Sequence, residues 1–462
     1  MASILMRILI ASRYVDPFPS SSNKNVYLQA NYLKHKLEID CEILTWPSND
    51  QWTGDCPDGS PSRLIHQERN GILYHIFSAP SDWDEIGAGN SLSDRSWAQA
   101  KQYAQRILQE LTPDIVHLHH RHGFWWILEA AQDLGIPTIY TSHDWGLACL
   151  RTTLVQGNGK LCNGITSVEK CSKCIKEGRR SFLGKINECV VELPGISFLF
   201  EVLSTVPFLS RKFHKYKLVK RRATSRVISY LYRAQNVLSN LNSCIVPSEY
   251  GSVFFQRLGC SKDKISIMPW YSNSQQIREL SYSKRSDELT LTYVGRLSPE
   301  KGIAWTLEHL AKISFSFPLH IRIAGAIDSP FAKTLFQSYS QSCGVHRITW
   351  LGWASSSDIY LSTDAILIPS QWIDNTPLTL VESFSHRLPV LATDIPTIRE
   401  YVTEDENGFL FEINNSFAFQ QSINRLRLRL QKTSSYPIDF PHVDSLDQYM
   451  SKVLKIYNQC LS

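Results

Sequence analysis

The 462-residue sequence lacks any stretch of the roughly 18 uncharged apolar residues that a membrane-spanning helix needs. Its opening, "MASILMRILIASRY", has no basic segment before the apolar run, and Arg7 interrupts that run, so we expect no signal peptide. These residues predict a first strand, which is complete whether translation starts at Met1 or Met6. The sequence also has no internal repeat, low-complexity tract, Walker A motif or GxGxxG motif.

The cysteine pattern does not suggest a secreted disulfide framework, because the chain has an odd number of cysteines, 11. We therefore expect a reducing, cytoplasmic location. The apolar content of 43% and charged content of 20% are ordinary for a globular protein, and the length allows two domains.

Positive charge is concentrated in one part of the chain. The net charge is +5, yet residues 176–226 contain twelve Lys or Arg against four Glu, so the rest of the chain is slightly acidic. Within this segment, residues 195–226 place an apolar stretch beside a cationic one. That order favours docking to an anionic membrane surface, with the protein peripheral on the inner face of a membrane. A solvated helical face is the alternative, and nucleic acid is not expected because no base-stacking motif accompanies the charge.

Strand-like apolar runs alternate with segments of helical periodicity up to about residue 150, and again from about residue 289. Runs such as "MRILIAS", "PDIVHLHH", "LTLTYVGRL" and "AILIPS" are typical of parallel sheets covered on both faces. The pattern predicts an α/β protein with two Rossmann-like domains facing each other across a cleft. The predicted parts are an N-terminal domain at 1–275 with a helical, cysteine-containing basic insertion at about 150–238, a linker at 276–288, a second domain at 289–440, and a C-terminal helix at 441–462 returning to the first domain.

Ligands of parallel α/β sheets usually bind beyond the carboxyl ends of the strands. In "YVGRLSPEKG" a strand ends at Gly295, and Arg296 and Lys301 follow over a turn. Two cations at such a place suit a diphosphate, although a solvated surface pair is the alternative. Other residues predicted at strand ends are Gly325, Gly352, His119, His120 and His143.

The stretch "WIDNTPLTLVESF" places one acid in a loop and a second on the helix that follows. Pro377 keeps Asp374 off the helix, whereas Glu382 lies about one turn inside it. Backbone amides near Leu378 and Thr379 would point out of the helix N-terminus, where a phosphate or a sugar hydroxyl can bind. Each acid alone is also an ordinary complement to a helix dipole.

Together these segments resemble a known family. "VGRLSPEKG", "RIAG", "ITWLGW", "PSQWIDNTPLTLVESF", "LPVLATDIPTIREYV" and "ENGFLF" follow in order the C-terminal domain of the family-four glycosyltransferases, and "MRILIAS", "PDIVHLHH", "YTSHDW" and "IVPSEYG" fit the N-terminal domain. Members of that family are retaining, nucleotide-sugar-dependent enzymes of the GT-B fold. The resemblance covers most of the chain and is weak at 151–240.

The resemblance implies roles for these residues. Arg296 and Lys301 resemble the family's diphosphate clamp, which stabilises the leaving nucleoside diphosphate without a metal. Glu382 matches the acid that holds the ribose, and His143 matches a histidine near the donor's sugar and phosphate. The remaining donor-binding residues implied are Gly295, Gly325, Gly352, Trp353, Asn375, Thr376, Leu378 and Thr379.

The sequence departs from the family pattern at two places. Asp374 stands where the family has a Glu that contacts the donor sugar, so the side chain is one methylene shorter. The Gly-Gly turn that often follows the first strand is replaced by "DPFPSSSNKN", which contains no glycine. Ser22 and Asn23 in that loop can still donate hydrogen bonds on the acceptor side.

The function predicted from these features is transfer of a hexose from a nucleotide sugar to a hydroxyl acceptor, a glycan or lipid-linked molecule, in polysaccharide or glycolipid synthesis. Two alternatives are another reaction of the same fold, such as epimerisation of a nucleotide sugar, and a binding or scaffold subunit with weakened turnover. The sequence does not identify the donor base, the sugar or the acceptor.

Histidine and cysteine form two further clusters. His119 and His120 belong to "HLHHRH", where core or cleft histidines are favoured over a metal site because no carboxylate partner is evident. Four thiols after the "SHDW" strand end in a C-x2-C spacing and could bind a structural zinc or pack as reduced thiols. These thiols are Cys149, Cys162, Cys171 and Cys174. No cofactor is predicted for catalysis.

Overall fold

The computed structural model describes 6–13, 15, 21–46, 63–78, 94–119, 125–147, 149–164, 167–178, 227–272, 287–432 and 438–462. The chain divides into two compact units. The first unit comprises Met1–Ile245, Ser252–Ser266 and Ile456–Ser462, and the second comprises Val246–Gly251 and Ile267–Lys455. The domain boundaries given above stay predictions.

The first sheet has eight strands in the order β3-β4-β2-β1-β5-β6-β7-β8. Its register pairings are parallel except for β3, which pairs antiparallel with β4. The strands are β1 (Arg7–Arg13), β2 (Asp40–Trp46), β3 (Arg63–Arg69), β4 (Ile72–Ser78), β5 (Ile115–His119), β6 (Thr138–Thr141), β7 (Ser243–Val246) and β8 (Ile265–Ile267).

Helices alternate with these strands as the periodicity predicts. They are α1 (Ser21–Lys36), α2 (Asp94–Leu111), α3 (Trp126–Asp133), α4 (Val168–Gly178), α5 (227–240) and α6 (Glu249–Gln256). Strands β5 and β6 are buried along their whole length. Strands of this kind need helices on both faces, which is the layered architecture of doubly wound proteins.

The second sheet has seven strands in the order β11-β12-β10-β9-β13-β14-β15, all parallel except β11. Its strands are β9 (Leu289–Val294), β10 (Leu319–Ala324), β11 (Ser342–Cys343), β12 (His346–Gly352), β13 (Ala365–Ile368), β14 (Val390–Thr393) and β15 (Gly408–Phe411). Its helices are α7 (Ile303–Leu310), α8 (Pro330–Ser338), α9 (Ser356–Tyr360), α10 (Leu378–Ser385), α11 (Pro396–Arg399), α12 (Ser416–Gln431) and α13 (Leu446–Leu461).

Successive residues of the central strands enter two separate apolar clusters in the second unit. Leu367 belongs to the cluster that includes Leu307 and Ile423, whereas Ile366 and Ile368 belong to the cluster that includes Leu380. Side chains alternate across a strand, so the two clusters lie on opposite faces of the sheet. Burial on both faces fixes the strand register and thereby the loops at the strand ends.

Two local features differ from the sequence prediction. Strands β3 and β4 form a hairpin that the alternation did not predict, with Asn70 and Gly71 both at positive φ in a two-residue turn. Helix α1 begins at Ser21, so Ser22 and Asn23 lie in a helix rather than in a loop extending to Asn25. The predicted acceptor-side loop is therefore wrong over this part.

Several predictions fall outside the described residues. These include His120, most of the linker at 276–288, and all of the segment at 195–226. Among the residues that are described, no helix is long and apolar enough to cross a membrane.

Candidate functional site

The segment after β9 carries both predicted cations. Gly295 follows the strand, and the side chain of Arg296 is 72% exposed, with its Nη2 3.0 Å from Glu300 Oε1. The buried Tyr293 hydroxyl donates to the Arg296 carbonyl oxygen at 2.6 Å. Burial raises the pKa of Tyr293 well above its ordinary value, so the phenol stays a donor at neutral pH. The backbone at Arg296 is thus fixed while the guanidinium faces solvent.

Lys301 is paired with an acid far away in the sequence. Its Nζ lies 2.5 Å from Asp374 Oδ2, and the two side chains are 26% and 11% exposed. The same ammonium lies 5.3 Å from the centre of the Trp372 ring, within cation–π range. The structure therefore brings together two of the residues predicted from separate strand ends. A cation at this depth can exchange a carboxylate partner for a phosphate oxygen.

Glycine at position 302 allows this pairing. Gly302 has φ +79°, and a Cβ there would lie 1.7 Å from the Pro369 carbonyl oxygen. The short 3-10 helix Pro299–Lys301 can then turn directly against the end of β13. A side chain at Gly302 would separate Lys301 from the Asp374 loop.

The loop between β13 and α10 is held by hydrogen bonds to its backbone. The Thr397 hydroxyl donates to the Asp374 carbonyl oxygen at 2.5 Å, and the Trp270 indole N–H reaches the Asn375 carbonyl oxygen at 3.5 Å. Thr376 is buried at φ +57°, a conformation that a β-branched residue rarely adopts. Backbone strain of this kind persists only where the surroundings enforce it, and it is frequent at functional sites.

Helix α10 begins at Leu378 with an unusual N-cap. The cap residue is Pro377, which has no side chain able to accept from the amides of Leu378 or Thr379. These amides carry the positive end of the helix dipole, so this end of α10 suits an anion or a hydroxyl oxygen.

Glu382 lies on α10 and is held by a residue from another element. The Tyr360 hydroxyl at the end of α9 donates to Glu382 Oε2 at 2.5 Å. Burial, followed by the Glu382 charge, raises the pKa of Tyr360 well above its ordinary value. Tyr360 was not predicted from the sequence, because it lies 22 positions before Glu382 and no local pattern marks it as a partner of the acid.

Two further predicted residues lie at neighbouring strand ends. Gly325 follows β10, and a Cβ there would lie 2.3 Å from the Gly295 carbonyl oxygen, so the ends of β9 and β10 approach closely because residue 325 is a glycine. Gly352 closes β12, and Trp353 beyond it is 85% exposed. An indole exposed to this extent has a face available for stacking.

The histidines of the first unit form a chain of rings. His143 Nε2 lies 3.1 Å from His119 Nδ1 at the end of β5, and the His119 ring centre lies 4.1 Å from that of His117. His117 is fully buried between the Tyr457 hydroxyl at 2.8 Å and Thr141 Oγ1 at 2.7 Å. Burial lowers the pKa of His117 to about 3, so its ring is neutral at physiological pH.

Models of two protein families match the chain. "Glycosyl transferases group 1" matches 275–434, which contains the predicted cations and both acids, and "Glycosyltransferase Family 4" matches 67–165, which contains His119 and His143. The chain belongs to the group 1 glycosyltransferases of family 4. The family prediction is confirmed.

Curated relatives of this glycosyltransferase are similar over part of their length. An uncharacterized glycosyltransferase of Methanocaldococcus jannaschii is 23% identical over 150 residues, covering 32% of this chain and 37% of the relative. The UDP-Gal:alpha-D-GlcNAc-diphosphoundecaprenol alpha-1,3-galactosyltransferase of Escherichia coli is 24% identical over 157 residues, covering 33% of this chain and 40% of the relative. The chain thus spans about two fifths of the length of these relatives.

Solved structures share the fold of the glycosyltransferase. Sucrose-phosphate synthase from Thermosynechococcus elongatus has a TM-score of 0.58 at 14% identity and covers 98% of both chains. HepE from Anabaena, in complex with UDP and glucose, has a TM-score of 0.54 at 13% identity and covers 98% of this chain and 99% of its own. The predicted fold class, parallel-sheet α/β domains of GT-B type, is confirmed.

Four cysteine thiols lie close enough in the first unit to interact electrostatically. Burial raises the pKa of Cys149, although backbone hydrogen bonds to Leu154 and Arg151 act to lower it. Burial also raises the pKa of Cys171 to about 11. Each of these thiols interacts electrostatically with the Cys162 and Cys174 thiols, and all four cysteines are reduced.

The sequence leaves these thiols two possibilities, a structural zinc or packing as reduced thiols. In the described ranges no group of three or more His, Cys, Asp or Glu side chains is placed to hold a metal ion. Binding of zinc here stays a prediction.

Of the residues predicted on the acceptor side, Asn23 is buried within α1, and His119 lies at the end of β5 with its Nδ1 3.1 Å from His143 Nε2. Among the residues predicted to bind the donor, Lys301 and Asp374 are paired within the second unit. Both role assignments stay predictions.

Proposed function

We propose that this glycosyltransferase transfers a hexose from a nucleoside diphosphate sugar to a hydroxyl acceptor, with retention of anomeric configuration and without a metal ion. The observation that carries the proposal is the pairing of Lys301 with Asp374, beside the exposed Arg296, at the strand ends of the second unit. Family membership supports the reaction class, and the local geometry supports the position of the diphosphate.

Two cations can stabilise the departing group in this reaction. The bond between the anomeric carbon and the diphosphate oxygen breaks, and its electron pair leaves with the nucleoside diphosphate. The acceptor oxygen forms the new bond to that carbon, and the acceptor's proton passes to the departing phosphate oxygen. Negative charge grows on the diphosphate during this step, so Lys301 and Arg296 bind the transition state more strongly than the ground state. In many enzymes a divalent cation has this role.

The two acids of the second unit would then contact different parts of the donor. Glu382 would accept hydrogen bonds from the ribose hydroxyls, because a carboxylate is an acceptor of the required kind. Asp374 would release Lys301 to the diphosphate and contact the hexose, with the amides of Leu378 and Thr379 beside it. Asp374 is one methylene shorter than the family's usual Glu, so its carboxylate would reach less far toward the sugar.

In the first unit, His143 would contact the donor's sugar or phosphate, as the family pattern implies. Its ring is oriented by His119, since the two ring nitrogens lie 3.1 Å apart. The protonation of the ring nitrogens facing each other is therefore correlated. A fixed imidazole orientation favours a defined hydrogen bond to the donor.

The names of two relatives support our choice of donor and acceptor classes. HepE is described in complex with UDP and glucose, and the Escherichia coli relative is named for UDP-galactose and a lipid-diphosphate acceptor. We propose a UDP-sugar as the first donor to test and a lipid-linked glycan as the acceptor class, in polysaccharide or glycolipid synthesis. The basic residues at 195–226 would bring the enzyme to an anionic membrane on its cytoplasmic side.

The deciding experiment is incubation of the purified protein with a panel of UDP-, GDP- and ADP-sugars, with release of nucleoside diphosphate as the readout. We expect release from one donor, increased by a lipid-linked acceptor and unchanged by EDTA. Failure of every donor to release diphosphate, with UDP still binding, would identify a binding subunit instead. Loss of activity in EDTA would contradict a metal-independent reaction.

A further inference from the structure

Tyr360 stands out because it joins the end of one helix to the acid of another. It is 2% exposed, and its hydroxyl donates to Glu382 Oε2 at 2.5 Å. The His386 ring stacks on the Tyr360 ring, with centroids 4.2 Å apart and an angle of 17° between planes. His386 Nδ1 lies 2.7 Å from the Glu382 carbonyl oxygen, one helical turn back. The phenol is therefore held in position on its face and at its hydroxyl.

The helix that carries Tyr360 is itself anchored. Arg322, buried on β10, donates from Nη2 to the Asp358 carbonyl oxygen at 2.7 Å and from Nη1 to the Ser362 carbonyl oxygen at 3.0 Å. A guanidinium at the C-terminal end of α9 satisfies carbonyl groups that the helix leaves unpaired and complements its dipole. A core residue thus fixes the end of α9, where Tyr360 lies.

We propose that Tyr360 is a positioning residue that orients the Glu382 carboxylate for the ribose of the donor nucleotide and thereby sets the preference for ribonucleotides. This inference rests on the proposed role of Glu382 in ribose binding. One carboxylate oxygen accepts from Tyr360, and a carboxylate has acceptor capacity on its second oxygen for a ribose hydroxyl. Orientation matters because hydrogen bonds weaken steeply away from linearity.

The test compares Tyr360→Phe with the wild type in titrations of UDP, 2′-deoxy-UDP and 3′-deoxy-UDP. This substitution keeps the ring that stacks on His386 and removes only the hydroxyl. We expect the wild type to prefer UDP over at least one deoxy analogue. In the variant, UDP affinity should fall about tenfold while affinity for that analogue changes little, so the preference shrinks. Glu382→Gln should shrink the preference at least as much.

Tyr449→Phe is the matched control. Tyr449 is another fully buried tyrosine of the second unit, and its ring packs at a tilt of 46° against that of Tyr271. It should leave the preference for UDP unchanged, whatever its effect on the thermal unfolding midpoint.

The outcomes separate the two proposals. Equal losses for UDP and both deoxy analogues in Tyr360→Phe would mean a structural role only and would overturn this inference. An unchanged preference in that variant, with a preference lost in Glu382→Gln, would also overturn it while leaving the ribose role of Glu382 intact. Wild-type protein that binds UDP without any preference, or does not bind UDP, would overturn the ribose assignment itself and this inference with it.

Discussion

The strand ends of the two units differ in the kind of polar group that they present. In the second unit the predicted residues form ion pairs, such as Lys301 with Asp374 and Arg296 with Glu300. In the first unit they form a chain of histidine rings that ends at the neutral, buried His117. The ion pairs lie at strand ends of the second unit, whereas burial keeps His117 of the first unit neutral.

Burial explains why His117 stays neutral. His117 is wholly enclosed and hydrogen-bonded to two hydroxyl groups, neither of which compensates a positive charge. The Lys301 ammonium is partly exposed and has a carboxylate and an aromatic face beside it. The same kind of strand end can therefore present charged or neutral groups, depending on the partners that the fold supplies.

The largest expected effect comes from removing the cations. Lys301→Ala and Arg296→Ala should each lower turnover about a hundredfold, because each removes a charge that stabilises the leaving diphosphate. The measurement is steady-state release of nucleoside diphosphate with the active donor.

Lys312→Ala is the matched control for the cations. Lys312 pairs with Glu308 at 3.0 Å on the exposed surface of the same unit. It should leave turnover within about twofold, since exposed pairs contribute little. Near-wild-type turnover in both Lys301→Ala and Arg296→Ala would contradict the proposed diphosphate clamp.

The two acids should have separable effects. Glu382→Gln should weaken UDP binding about tenfold, because it removes a charged acceptor for the ribose. Asp374→Asn should leave UDP affinity unchanged or higher, since it frees Lys301 from a competing carboxylate, yet lower turnover with the complete donor. Calorimetric titrations paired with kinetics measure both. The reverse pattern would mean that the two roles are exchanged.

The buried His117 should make the first unit sensitive to acid. Its folded-state pKa is lowered to about 3, whereas the unfolded chain binds a proton near the ordinary value of about 6.5. The unfolded state therefore binds more protons as pH falls through this window, and stability falls with it. Relative to His117→Gln, the wild type should lose on the order of 1 kcal/mol between pH 7.5 and 5.5.

The difference between wild type and His117→Gln is the quantity to follow in denaturant unfolding. His386 and His320 also have lowered pKa values because they are desolvated, and their contributions cancel in that difference. If the wild type and His117→Gln lost the same free energy of unfolding as the pH falls, His117 would not be the neutral group.

The smallest expected effect on catalysis concerns the four thiols. If zinc binds, metal analysis of protein purified without chelator should give about one zinc per chain, and Cys171→Ser with Cys174→Ser should abolish it. Turnover should not depend on this metal in either case. If the protein were free of zinc after such a purification, the zinc prediction would be wrong and the four thiols would be packed as ordinary reduced cysteines.

The sequence predicted the alternating architecture of both units because buried parallel strands read as apolar runs. It did not predict the β3–β4 hairpin, although Asn70-Gly71 between two strand-like segments is a strong hairpin signal. The start of α1 at Ser21 was missed because serine and asparagine resemble loop residues when read locally.

Within the site, residues next to a strand end were predictable and residues that support them were not. Lys301 and Asp374 each follow an apolar run, so each could be found separately. Tyr360 and Arg322 act through contacts between different elements. Tyr360 lies 22 positions before its partner Glu382, and Arg322 lies 37 positions before its partner Ile359. Such contacts depend on the register of β10, β12 and α9, which local sequence patterns leave open.

The central claim is that the second unit binds a diphosphate through Lys301. The most direct test is to measure by calorimetry the affinities of the wild type and of Lys301→Ala for uridine, UMP and UDP. The wild type should bind UDP far more tightly than UMP, and the variant should lose most of that difference while binding uridine as the wild type does. Equal affinity for UDP and UMP in the wild type, or an unchanged difference in Lys301→Ala, would contradict the claim.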